Sequence, residues 1–160
     1  MPTFLILSHT VLVITAGVLF YVAFTDLKQY TIRNEFILVL TGLFFLHAVV
    51  SGRWVQMHWN LGFALVMFLL MLLAYARSMM GGGDLKVLAV AFLWVGLHCA
   101  LPFAILLFIF GTLHTIAAKL GWVAAQQADG RTRIAFAPAV AGALIGSFML
   151  GCLQPLAWTY

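Results

Sequence analysis

Two long segments of this chain carry no charged residue, and they limit the folds that it can adopt. No Asp, Glu, Lys or Arg occurs in residues 1–25, and none occurs in the 32 residues between Lys86 and Lys119. Hydrophobic residues make up 65% of the sequence and charged residues only 8%, whereas soluble domains have roughly 45–50% and about 25%. A soluble domain of this composition would lack the polar surface to cover itself. We therefore predict an all-α, polytopic membrane protein that forms a single transmembrane domain over residues 1–160.

Apolar segments of suitable length divide the chain into membrane-spanning helices. Four of them cover residues 4–24, 35–50, 60–76 and 134–155. The segment between Lys86 and Lys119 is too long for one span, because a helix of this length would measure about 48 Å and the hydrocarbon core is about 30 Å thick. Gly96, His98 and Pro102 lie at its middle and favour a break. We divide it into spans at 85–98 and 101–118, which makes about six in total.

The distribution of basic residues supports six spans with the N-terminus outside. Seven basic residues then face the cytoplasm: Lys28, Arg33, Arg77, Lys86, Lys119, Arg131 and Arg133. Only Arg53 faces outward, as the positive-inside rule requires. A single span between Lys86 and Lys119 would instead leave four on each side. In the six-span topology all four acidic residues, which are Asp26, Glu35, Asp84 and Asp129, also lie on the cytoplasmic side.

Cysteine and histidine spacings give no indication of a metal or redox site. Cys99 and Cys152 lie in or beside apolar segments without a CxxC pair, so we interpret both as small buried apolar side chains. His98 and His114 lack the spacing of a metal-binding pair, and we interpret them as core or interfacial residues. We therefore expect no metal and no cofactor.

Two aspartates at the cytoplasmic ends of spans are the candidate functional residues. Asp26 lies at the end of the first span, and Asp84 follows three glycines at the start of the fourth. Each acid alone could be structural: Asp84 as a favourable charge at a helix N-terminus, and Asp26 as a boundary residue paired with Lys28 or Arg33. Together they supply the two carboxyl groups that an aspartic protease requires. One, ionised, is the general base for water, and the other, which is protonated, polarises the scissile carbonyl.

The three glycines favour a functional interpretation of Asp84, because consecutive glycines are entropically costly in an ordered chain. They are useful where another backbone must approach closely or where the chain takes a positive φ. A flexible turn is the alternative. We expect Gly83, which directly precedes Asp84, to tolerate replacement least.

The ordered motifs of this chain resemble those of the type IV prepilin peptidases, membrane aspartyl proteases of the GxGD kind, in the short form found with tight-adherence (Flp) pili. Residues 81–86, GGGDLK, resemble the second-aspartate motif GxGDxK. Asp26 with Ile32 and Asn34 resembles the first, an Asp followed by Ile-Pro-Asn. Residues 134–139, IAFAPA, resemble a third stretch, Ile-Pro-Phe/Tyr-Gly/Ala-Pro-Ala. Arg33 and Ala135 stand where the family often has proline.

The resemblance implies an aspartic endopeptidase that removes the leader of prepilin-like precursors at the cytoplasmic face of a prokaryotic inner membrane. It implies Asp26 and Asp84 as catalytic residues. Supporting or substrate-binding residues would be Gly81, Gly83, Lys86, Lys28, Asn34 and Pro138. Longer members carry a cytoplasmic segment with paired CxxC motifs and also N-methylate the product. This chain has neither that segment nor its cysteines, so we expect proteolysis alone. The expected partners are prepilin precursors and membrane lipid, without nucleic acid.

Two other functions remain open at this point. A transporter or ion-channel subunit would bind protons or cations with intramembrane acids, although both acids here lie at span ends and not at mid-span. A structural membrane subunit would use the glycines for close helix packing. A protease must lose activity when either Asp becomes Asn, whereas a packing protein should respond more to bulky replacement of the glycines. For the lysines, charge anchoring at the cytoplasmic face is an equally open role.

Overall fold

The computed structural model describes residues 2–52, 54–122, 126–128, 131–133 and 135–152, without side-chain detail for 2–5, 126–128 and 131–133. Arg53, Asp129 and Ile134, on which parts of the sequence interpretation depend, lie outside the described residues. Within them the chain forms six α-helices: α1 (Pro2–Gln29), α2 (Asn34–Val50), α3 (Trp54–Ala76), α4 (Gly82–Val95), α5 (Ala100–Lys119) and α6 (Ala137–Met149). The predicted all-α class is confirmed.

Three of the described helices are long and apolar enough to cross a membrane. They are Ile6–Gln29 of α1, Trp54–Ala76 of α3 and the whole of α5. Helices α2 and α6 are apolar but shorter. Helix α1 extends past the predicted end at residue 24, so Asp26 lies within its last turns, and α3 begins six residues earlier than predicted.

Helix α4 lies at the centre of the bundle, where it packs against α2, α3, α5 and α6. It has only 14 residues, about 21 Å of helix. Its buried residues lie on all sides of the helix, from Leu85 to Val95, as expected for an apolar helix enclosed by others. The Trp94 side chain is fully buried, and its indole N–H donates a hydrogen bond to the Leu40 carbonyl of α2 at 3.1 Å.

The break between α4 and α5 occurs at Gly96. This residue ends α4 with φ 62° and ψ −175°, a region that is open almost only to glycine. Pro102, predicted as part of the break, instead lies in the first turn of α5, where the missing N–H of proline costs no helical hydrogen bond. The predicted division of the long apolar segment into two helices is confirmed, with glycine as its physical cause.

Helices α5 and α6 pack closely because glycine lies where they meet. A β-carbon at Gly142 would touch the Phe110 ring at 3.4 Å, and one at Gly146 would lie 3.0 Å from Leu106 Cδ1. From the Gly146–Leu106 pair to the Gly142–Phe110 pair, the residue number falls by four on α6 and rises by four on α5. The helices are therefore antiparallel, with four residues of α6 matching four of α5 between successive contacts.

Two further features depart from the sequence interpretation. Cys99 and Cys152 form a disulfide, with Cα atoms 5.8 Å apart, so their interpretation as separate apolar side chains was wrong. The bond joins the turn after α4 to the turn after α6, residues too far apart in sequence for spacing alone to pair them. The polar segment before α6 contains a short antiparallel ribbon, β1 (Gln126–Ala128) and β2 (Arg131–Arg133), in which Gln126 pairs with Arg133.

Candidate active site

Asp26 is held against the beginning of α6. Its side chain is buried, with 4% of its surface exposed. Its Oδ2 accepts a hydrogen bond from the backbone N–H of Ala137 at 3.0 Å, and the backbone of Phe136 also contacts the carboxyl group. The first N–H groups of a helix have no partner within the helix and carry a partial positive charge. The N-terminus of α6 therefore accommodates a buried carboxylate.

Asp84 lies in the first turn of α4 and is half-buried. Gly81 is the residue that caps this helix, and its backbone forms a hydrogen bond with the Asp84 carboxyl. An acid three residues after the capping residue can accept a hydrogen bond from a free backbone N–H, and the positive end of the helix dipole stabilises its negative charge. Asp84 therefore has the structural role of a charge at a helix N-terminus, and its hydrogen bond to the Gly81 backbone also fixes the direction of the carboxyl group.

The two carboxyl groups interact electrostatically although they come from different helices. Among the described residues α1 and α4 share no direct packing, and both pack against α2 and α6. Asp26 and Asp84 are thus brought together at one end of the bundle by their common neighbours. Like charges close together favour a state in which only one of the two is ionised.

The glycines act differently from the sequence interpretation. None of Gly81, Gly82 and Gly83 has a positive φ, so that part of the interpretation was wrong. Gly81 has extended geometry (φ −74°, ψ 146°), and the other two belong to α4. A β-carbon at Gly81 would lie 3.1 Å from Asp84 Oδ2, whereas one at Gly83 would make an ordinary 3.4 Å contact with Ile32 Cδ1. The tightest of these positions within the protein is therefore Gly81.

Lys86 and Asn34 contact each other and lie on a different side of α4 from Asp84. Lys86 Nζ donates a hydrogen bond to Asn34 Oδ1 at 2.8 Å, which links α4 to the first residue of α2. Successive residues of an α-helix are rotated by about 100°. Lys86 follows Asp84 by two residues, so the two side chains project from nearly opposite faces. Among the described residues, Lys86 forms no ion pair with Asp26 or Asp84.

Lys28 and Pro138 are the two remaining predicted site residues. Lys28 is exposed, with its Nζ 4.4 Å from the centre of the Phe24 ring. Pro138 is the second residue of α6, a position that suits proline. Arg33, where the family often has proline, has φ −72°, close to the value that proline imposes. The backbone there keeps a geometry compatible with the family pattern, and Arg33 forms an ion pair with Glu35 at 2.7 Å.

His114 is near the site although the sequence interpretation assigned it no role. Its imidazole is close enough to Asp26 for an electrostatic interaction. Its Nε2 is buried and has no hydrogen-bond partner among the described residues. The sequence signal that could have identified it is a lone polar residue in the apolar segment of α5, five residues before Lys119.

Comparison with known proteins identifies the family. No curated protein and no solved structure is significantly similar to this chain. The family model of the type IV leader peptidases matches residues 13–116, from α1 into α5, which is well over half of the chain and includes both aspartates. This match, together with the apolar helices, shows that the chain belongs to the type IV leader peptidase family and is a membrane-embedded peptidase whose substrates are pilin precursors.

Proposed function

We propose that this peptidase is an aspartic endopeptidase in which Asp26 and Asp84 act as one catalytic pair. The observation that carries this proposal is geometric: Asp26 is bonded to the first turn of α6, and Asp84 lies in the first turn of α4, which packs against α6. The two carboxyl groups are close enough to interact electrostatically. Asp26 is fixed by the Ala137 N–H, and Asp84 by the backbone of Gly81. A pair of acids whose orientations are fixed by backbone groups is preorganised for proton transfer.

The proposed reaction is hydrolysis of one peptide bond. The ionised carboxylate removes a proton from water while the water oxygen forms a bond to the scissile carbonyl carbon. The protonated carboxyl donates a hydrogen bond and then its proton to the carbonyl oxygen, which gives a tetrahedral diol. This intermediate collapses by breaking the C–N bond, and the leaving amine takes a proton from the pair. The products are the released leader peptide and the mature pilin.

We place the cut at the cytoplasmic face of the inner membrane, just before the apolar segment of the precursor. The seven-to-one distribution of basic residues supports this orientation of a multi-pass chain. The disulfide supports it independently, because Cys99 and Cys152 follow the ends of α4 and α6 that lie away from the aspartates. Disulfides persist in oxidising compartments, so that end belongs outside and the aspartates belong at the cytoplasm.

We further propose that the enzyme does not methylate the product and that it acts on precursors of the tight-adherence type. The similarity of its motifs to the short form of the family supports the precursor type. For methylation, the support is the sequence itself, in which the CxxC-containing segment of the bifunctional members has no counterpart.

Co-expression with candidate prepilins, followed by mass measurement of precursor and product, tests these proposals. Asp26→Asn and Asp84→Asn should each accumulate uncut precursor at normal enzyme levels, because an amide cannot act as a base at neutral pH. A loss of about 10²–10⁴-fold is expected for each, and the double variant should be no worse than the singles. Glu35→Gln is the matched control, since Glu35 is exposed and its carboxylate forms an ion pair with Arg33.

Three outcomes would contradict the proposals. Substantial cleavage by either Asp variant would exclude the catalytic pair. Loss of cleavage in Glu35→Gln would show that the assay does not isolate the proposed site. A mature product carrying the mass of an added methyl group in cells without another methylating enzyme would exclude proteolysis alone.

A further inference from the structure

The packing of α5 on α6 determines where His114 lies. Gly146 faces Leu106 and Gly142 faces Phe110. The next step of four residues in this antiparallel register places His114 beside Pro138, in the first turn of α6. The adjacent residue, Ala137, is the one whose N–H is bonded to Asp26. The helix register and the electrostatic interaction of His114 with Asp26 therefore both place the imidazole near Asp26.

The surroundings of the imidazole distinguish it from an ordinary core residue. Neighbouring residues Leu113 and Thr115 are exposed on the outer side of α5, whereas His114 is half-buried and faces the bundle. Its buried Nε2 has no hydrogen-bond partner among the described residues. Leaving a buried polar atom without a partner destabilises the folded protein. Such an atom beside a catalytic group calls for a functional explanation.

We propose that His114 is a positioning residue for Asp26. In the precursor-bound enzyme its Nε2–H donates a hydrogen bond to the Asp26 carboxyl group, which the Ala137 N–H already holds from the other helix. Asp26 is then oriented by groups from both α5 and α6. Catalytic hydrogen bonds are often long in free enzymes and shorten when substrate binds, so the absence of a direct bond in the free protein agrees with this role. The inference rests on the proposed role of Asp26 in catalysis.

The test compares His114→Leu, His114→Gln and His114→Asn in a cleavage assay with purified enzyme. Leucine removes the donor, and kcat should fall by about 10–100-fold with KM within about twofold, as expected when a catalytic group is misplaced. Glutamine carries an amide N–H at a similar reach and should recover most of kcat. Asparagine is polar but too short to reach Asp26, and its kcat should stay low. His98→Leu is the matched control, because His98 is exposed at the opposite end of the bundle.

Two results would overturn the inference: wild-type kcat in His114→Leu, or equal losses in the glutamine and asparagine variants, which would indicate packing alone. If the leucine variant does not fold, the comparison of glutamine with asparagine decides. Asp26→Asn is measured in the same assay. Activity in Asp26→Asn would refute the proposed catalytic pair, whereas an inactive Asp26→Asn beside a fully active His114→Leu would refute only the role of His114.

Discussion

The backbone N–H of Ala137 donates a hydrogen bond to Asp26 Oδ2 across a sequence separation of 111 residues. This bond joins the last turns of α1 to the first turn of α6. It uses a backbone donor that α6 itself cannot satisfy, since the first N–H groups of a helix have no partner within it. Asp26 therefore has a structural role in addition to the catalytic role proposed for it.

We expect the two roles of Asp26 to separate by substitution. Asp26→Asn keeps a carbonyl oxygen that can accept the Ala137 N–H, so thermal stability should stay near wild type while cleavage is lost. Asp26→Leu removes the acceptor and leaves the buried donor unpaired, at a cost of about 1–3 kcal/mol. Thermal unfolding of the detergent-solubilised protein measures the difference. Equal midpoints for the two variants would argue against a structural contribution of this bond.

We expect Gly81→Ala to impair cleavage more than Gly83→Ala. A β-carbon at Gly81 would lie 3.1 Å from Asp84 Oδ2 and would move the carboxyl group, whereas a β-carbon at Gly83 meets only the Ile32 side chain at 3.4 Å. A displaced catalytic group can cost about 10²-fold, so we expect a fall in kcat of about 10–100-fold for Gly81→Ala. Steady-state kinetics of both variants decide. The reverse order would indicate that an approaching substrate requires the space at Gly83.

We expect Gly96→Ala to destabilise the protein. Gly96 has φ 62° and ψ −175°, and a β-carbon there would collide with the Asn60 side chain, whose Nδ2 donates a hydrogen bond to the Leu93 carbonyl. A residue other than glycine in this region costs about 1–3 kcal/mol before any clash. Gly62→Ala, in α3 with open space around the new carbon, is the control and should be neutral or stabilising. A wild-type unfolding midpoint for Gly96→Ala would contradict the geometry of this turn.

We expect the Cys99–Cys152 disulfide to stabilise the protein without being required for cleavage. The bond lies at the end of the bundle away from the aspartates, so Cys99→Ser with Cys152→Ser should lower the unfolding midpoint and leave kcat within about twofold. After reduction, a membrane-impermeant thiol reagent should label both cysteines from outside intact cells. Labelling only from the cytoplasmic side would reverse the proposed orientation.

Much of the fold could be predicted from the sequence because it depends on local properties. A charge-free segment of given length forms a helix in a membrane whatever its neighbours are, since its backbone groups must be satisfied internally. Helices α2 and α5 therefore lie within one residue of their predicted bounds, whereas α3 begins six residues before its predicted start. The break in the long apolar segment was also predicted, although its cause is the left-handed backbone of Gly96.

The site was predictable only in part. The motifs identified Asp26 and Asp84, because acids beside apolar spans are rare and conspicuous. They did not give the surroundings of these residues. Gly81 is the glycine in close approach to Asp84, and Lys86 projects away from it toward Asn34. Both results depend on the helical phase of α4, which begins at Gly82 and so fixes the direction of each side chain.

Composition and the spacing of charges were enough to predict the all-α membrane class, the approximate helix positions and the two candidate acids. Packing between distant parts of the chain brings Asp26 to the Ala137 N–H, joins Cys99 to Cys152 and brings His114 close to Asp26. The physical reason is that helices in lipid are apolar on their outer as well as their inner faces, so hydrophobic periodicity does not reveal which face is buried. Which helices become neighbours is set by packing between residues distant in sequence, such as glycines of α6 against side chains of α5.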